Sequence, residues 1–127
     1  MHLDGFLSYP SAVYTVPYGV MVPKEVGNLL LPVPVSGSHI GFSTLRMEPC
    51  WMAMGQAAGI ASALSIDGKV KVQNIDLSRL QDKLVDQKAT LMYFKDVDYT
   101  SPHFRMVQYL GLRGYLPEWT ARLQEPV

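Results

Sequence analysis

The sequence predicts an α+β chain, with short β-strands packed on a central helix of small residues and a helical C-terminal subdomain after them. Three observations predict it. Residues 12–17 (AVYTVP) and 28–33 (NLLLPV) are rich in the β-branched, aromatic and aliphatic side chains that fit a pleated surface. Residues 49–64 begin with proline and continue through methionine, alanine and glycine, which reads as a helix started at its first turn. Residues 76–85 carry leucine and valine at helical spacing.

Composition sets the outer bounds. The 127 residues suffice for one domain with a sizeable core, and 48% hydrophobic with 17% charged residues suits a globular chain. Eleven basic residues balance eleven acidic ones, which leaves no electrostatic footprint for nucleic acid. A lone cysteine excludes an intrachain disulfide and an all-cysteine zinc site. No apolar run approaches the roughly 18 residues that a membrane span needs. The first residues lack the basic-then-apolar pattern of a secretory signal, and the sequence fixes no compartment.

Taken in order, residues 1–10 are turn-like, with Gly5, Ser8 and Pro10, and read as an arm that needs a partner. Residues 12–17 form the first strand, ended at an edge by Pro17. A turn at residues 22–25 leads to the second strand, whose unbroken Leu29, Leu30 and Leu31 call for burial on both faces. Two strands cannot supply that burial, so either the rest of a larger protein or a second copy of this chain should cover them. A polar loop with His39, Ser43 and Arg46 follows. Pro49 then starts the central helix, and Glu48 before it complements the positive end of the helix dipole. Gly55 and Gly59 each cost about 1 kcal/mol against alanine in a helix. Four residues apart on one face, they imply close approach by another backbone or by a flat ligand.

After a turn at residues 67–69 and a short extended piece at residues 70–72, Asp76 caps a helix whose apolar face is Leu77, Leu80, Leu84 and Val85. Asp82, Lys83, Asp86 and Lys88 fall towards water. Residues 92–94 read as a hinge. Beyond it, Ser101 and Pro102 start a further helix with Phe104, Val107, Leu110 and Leu112 inward and Gly114 as its C-cap. The organisation expected is residues 1–92 as one unit and residues 93–127 as a small helical one.

The segments PYGVMVPKEVGNLLLP (17–32), SGSHIGFSTLRMEP (36–49) and MAMGQAAGIASAL (52–64) together resemble the C-terminal portion of the FAD-dependent oxidoreductase family with a GQAAG motif. The resemblance covers about residues 14–91 and rests on ordered agreement rather than on one piece. It implies a strand, a loop and a helix whose N-terminal amides face the flavin pyrimidine ring. Free N–H groups at a helix start suit the negative charge that a reduced flavin carries there. The contact would be lined by Ser43, Arg46, Met47, Glu48 and Cys50, with His39 and Arg46 as the groups acting on a small organic substrate. No G-x-G occurs in the sequence, so the turn that cradles a dinucleotide pyrophosphate is missing. The chain therefore reads as a fragment of a flavoprotein that holds FAD in the intact parent, binds none by itself, and is inactive alone. Its partner is the remainder of that parent or a second copy of the chain.

Residues 93–116, with Phe94-Lys95-Asp96-Val97 at their head, resemble the first half of an S-layer homology repeat. That resemblance implies a docking subdomain, or a tail contacting carbohydrate or wall polymer in a non-catalytic interaction protein, and a parent at the cell envelope or outside the cell. The chemical candidates keep bland readings beside them. His39 exchanges protons near the flavin or only fastens its loop. Arg46 pairs with a substrate carboxylate, with a reduced flavin, or with Glu48 or Asp4. Cys50 is a thiol activated by the helix dipole or a buried, inert one. His2 and His103 stand apart from any acidic cluster, so no metal site is expected.

Overall fold

The computed structural model describes residues 13–116 and is helical: 52% of these residues lie in helices, 2% in β-bridges, and they contain no sheet. The expected arm, together with His2 and Asp4, lies outside the described residues. Four α-helices follow one another: α1 (His39–Leu45), α2 (Glu48–Gly68), α3 (Leu77–Asp86) and α4 (Phe104–Leu112), with 3₁₀ turns at Tyr18–Met21 and Val72–Asn74.

The α+β expectation is thus overturned, and the reason is proline. Residues two apart present their N–H groups to the same strand edge, so Pro32 and Pro34 remove successive donors from one edge of the second segment. What remains is sparse. Leu31 N–H donates to Met21 O (2.8 Å) and Ser36 N–H to Val20 O (2.8 Å), while Val35 N–H turns back on Val33 O (2.9 Å). These two ties hold the segment against the first 3₁₀ turn without a ladder. Asn28 enters it in the left-handed region, with φ 59°. Its side chain accepts from Val72 N–H (3.4 Å), and Gln73 accepts from Asn28 N–H (3.2 Å) while donating to Val26 O (3.2 Å). The apolar run is therefore an irregular strap, pinned at one end by side-chain amides.

α2 carries the strap and much of the core. Met54, Ala61 and Leu64 are buried on its inner side. Ala61 and Leu64 meet Ile75, Leu80 and Leu84 of the α3 region, and Met54 meets Met21, Val35 and Leu45. Tyr18 and Leu30 touch both groups and join them. The Tyr18 hydroxyl donates to Val72 O (2.9 Å), and burial pushes its pKa up. α2 ends with Lys69 in the left-handed region (φ 50°), where glycine is the usual choice, as Val70 N–H reaches back to Ser65 O (3.0 Å).

α3 is capped as the sequence predicts: Asp76 accepts from the N–H groups of Ser78 (2.9 Å) and Arg79 (3.4 Å). Leu80, Leu84 and Val85 are buried, whereas Leu77 is exposed. α4 packs on α3, with Arg105 paired to Asp86 (2.6 Å) and Arg113 to Asp82 (3.4 Å). Gly114, at φ 76°, closes α4 while Tyr115 N–H bonds to Leu110 O (2.9 Å). The segment read as a hinge is tied down. Gln108, fully buried on α4, accepts from Leu91 N–H (3.0 Å) and Met92 N–H (2.9 Å) and donates to Met92 O (2.6 Å).

Candidate functional site at the junction of α1 and α2

The polar loop expected around His39, Ser43 and Arg46 is a helix. Ser38 caps it by accepting from Gly41 N–H (3.1 Å). Ser43 and Thr44 bond back to Ile40 O (2.6 Å) and Gly41 O (2.9 Å), so their hydroxyls are spent on the helix itself. Poor helix formers such as Gly41, Ser43 and Thr44 hide α1 from a propensity reading. Its one legible signal is Ser38 in the N-cap position.

α1 separates the expected site residues into two places. His39 is the first residue of the helix and exposed. Arg46 follows its last turn, about 10 Å further along at 1.5 Å per residue. Arg46, Met47 and Glu48 then sit together, all exposed, where α1 ends and α2 begins. Cys50 is half-buried in the first turn of α2, against the core around Met54. No hydrogen bond joins His39 to Cys50 among the described residues. Arg46 makes no ion pair among the described residues, and the alternative partner Asp4 lies outside them.

The start of α2 has open hydrogen-bonding capacity. Met47, the N-cap residue, provides no side-chain acceptor. Pro49 has no N–H, and the first helical bond at this end runs from Trp51 N–H to Met47 O (3.1 Å). The N–H groups of Glu48 and Cys50 therefore precede the ladder and point along the axis towards solvent. One turn inside, the indole N–H of Trp51 is buried with no acceptor among the described residues. Buried donors are normally bonded, so an acceptor is missing at this end of the helix. The positive end of the dipole and the Arg46 guanidinium beside it favour an anion.

Among the described residues these features do not close into a pocket. A cleft of about 180 Å³ lies against α1, lined by residues 14–17 with Gly41, Thr44 and Leu45. None of His39, Ser43, Arg46, Met47, Glu48 and Cys50 lines it. Its volume is below the roughly 300 Å³ at which small-molecule sites begin. Gly55 and Gly59 are likewise open: no described atom outside the helix lies within 4 Å of a Cβ built at either. The close approach that the glycines imply is not made by the described residues. No group of three or more His, Cys, Asp or Glu that could hold a metal occurs among them, and no helix is long and apolar enough to cross a membrane.

The start of α2 is thus uncapped, exposed and next to Arg46. The chain belongs to the FAD dependent oxidoreductase family, whose family model matches residues 3–84, more than half of the chain. No curated protein and no solved structure matches it. The match spans the strap, α1, α2 and most of α3, and ends before α4.

Proposed function

We propose that this chain supplies the C-terminal flavin-facing part of an FAD-dependent oxidoreductase, with the start of α2 set against the pyrimidine side of the isoalloxazine. The observation that carries this reading is the uncapped α2 N-terminus, with its unpaired leading N–H groups and Arg46 beside it, inside the family-matched region. Bound flavin would supply hydride or electron transfer to or from a small organic substrate. The residues of this chain would do simpler work. The N–H groups of Glu48 and Cys50 would hold negative charge on the ring, Arg46 would add a cation, and Met47 would cover the ring edge. Ser43 would act through the α1 backbone that it braces. His39, at the far end of α1, would reach substrate rather than the pyrimidine ring and move a proton there.

With no G-x-G turn in the sequence, the chain by itself gives the pyrophosphate no seat, so it acts with the remainder of a flavoprotein parent. Titration with FAD, followed by flavin fluorescence and absorbance, tests both halves of the reading. Binding weaker than the millimolar range is expected for the chain alone. Stoichiometric FAD retained through purification would overturn the idea that it is a part-site. In a preparation completed by the dinucleotide-binding portion of a family member, Arg46→Ala is expected to lower the flavin potential and weaken binding. An unchanged flavin spectrum and potential would remove Arg46 from the site.

A second reading has its own support. Tyr93, Tyr99 and Tyr115 are exposed in the segment that resembles an S-layer repeat, and exposed aromatic rings offer faces to sugars; the Tyr109 ring is exposed too but carries the Arg113 guanidinium over one face (4.4 Å). In this reading the tail contacts carbohydrate or wall polymer. A pull-down on peptidoglycan or polysaccharide, with Tyr99→Ala and Tyr115→Ala as controls, decides it.

A further inference from the structure

α2 is apolar on two opposite sides. Its inner side holds Met54, Ala61 and Leu64 in the core, whereas Met52 and Ile66, each 76% exposed, stand near the two ends of the outer side. At 3.6 residues per turn, Glu48, Met52, Gly55, Gly59, Ala63 and Ile66 fall on one stripe. A helix with a second apolar side opposite its core side calls for a cover on that side too.

The stripe is symmetric about Gly59. Met52 and Ile66 lie seven residues before and after it, and Gly55 and Ala63 lie four before and after. Glu48 lies eleven before, and the position eleven after is Val70, flanked by Lys69 and Lys71. Glu48, Lys69 and Lys71 are exposed, and none is in an ion pair among the described residues. We propose that a second copy of this chain docks on this stripe, antiparallel, with Gly59 on the two-fold axis. Such an interface is isologous, each contact occurring twice. Met52 meets Ile66 of the other copy, Gly55 meets Ala63, and the Glu48 carboxylate meets the Lys69 and Lys71 ammonium groups. The antiparallel order also sets the positive end of each helix dipole beside the negative end of the other. Glycine at the crossing point lets the backbones come close.

The register fixes the expected strength. The 21 residues of α2 span about 31 Å, so a face about 10 Å wide gives a footprint of roughly 300 Å² per copy. A standard interface buries about 800 Å² per partner, so the dimer is weak and forms as concentration rises.

Sedimentation equilibrium of the whole chain without FAD, from about 1 to about 500 μM, tests the proposal across the range of weak association. A monomer–dimer equilibrium is expected. A Cβ at position 59 meets no described atom outside the helix, so Gly59→Leu should keep its helical circular dichroism and remain monomeric. Glu48→Lys should weaken the dimer about tenfold through two like-charge contacts, and adding Lys69→Glu and Lys71→Glu should restore it. In a Cys50→Ser background, Gly59→Cys should cross-link to its own copy on mild oxidation, whereas Ala53→Cys, off the stripe, should not. A monomer at every concentration, a dimer indifferent to Gly59→Leu, or a charge reversal without rescue would each overturn the proposal. FAD is absent from every arm, so such a failure leaves the flavin reading untouched.

Discussion

Replacing Gln108 by alanine should be among the most damaging single changes in the described chain. The side-chain amide is fully buried and holds three backbone groups: the N–H of Leu91, the N–H of Met92 and the carbonyl of Met92. Each net hydrogen bond is worth about 1 kcal/mol, and a buried group left unpaired costs about 1 to 3 kcal/mol. Three losses therefore sum to about 3 to 5 kcal/mol, a large part of the roughly 5 to 15 kcal/mol that holds a domain together. Urea denaturation reads this directly. At a slope of about 1.5 kcal/mol per molar, the midpoint should fall by about 2 to 3 M. Gln108→Glu separates the acceptor role from the donor role. The carboxylate keeps its acceptors but opposes Met92 O, and burial favours the neutral acid. This variant should be destabilised at pH 7 and recover as pH falls, when the protonated acid can donate again. A loss below about 1 kcal/mol for Gln108→Ala, with unchanged exchange protection at Leu91 and Met92, would refute the reasoning.

Other outcomes follow from the same structure. Asp76→Ala removes the acceptor for two N–H groups at the start of α3 and should cost about 1 kcal/mol in urea melts. Gly111→Ala would set a Cβ 2.8 Å from Met92 Sδ and 3.1 Å from Phe94 Cζ, so it should destabilise by about 1 kcal/mol as Met92 shifts; no change would mean that this contact is loose. Tyr18 has a folded pKa above its ordinary 10.0, so the folded state holds the phenol proton more tightly. Its contribution is complete below pH 10 and declines as pH rises through the folded value, and Tyr18→Phe should flatten that alkaline slope. Asp98 has the opposite sign: hydrogen bonds from Thr100 hold its carboxyl below the ordinary 3.8. Its contribution is present above pH 3.8 and is lost as pH falls through the folded value, which a comparison with Asp98→Asn by acid titration would read.

The sequence alone determined those features in which a local pattern suffices. The proline-started α2, the Asp76 cap, the inward Leu80, Leu84 and Val85 of α3 and the Gly114 stop all follow from residues within a few positions of one another, where backbone geometry is decided by neighbours. The family was legible for a related reason: residues 17–64 keep a specific order of types whatever their shape. Tertiary structure decided the rest. Leu29, Leu30 and Leu31 have the composition of a strand, but strand formation needs a partner edge with matching donors, and Pro32 and Pro34 removed them. His39 and Arg46 look adjacent in a polar stretch, but α1 forms between them and holds them about a helix length apart. The burial of Gln108 and the open face at Gly59 depend on what packs from elsewhere in the chain. Periodicity can show that a helix face is apolar or free of side chains, and only three-dimensional placement decides whether anything lies against it.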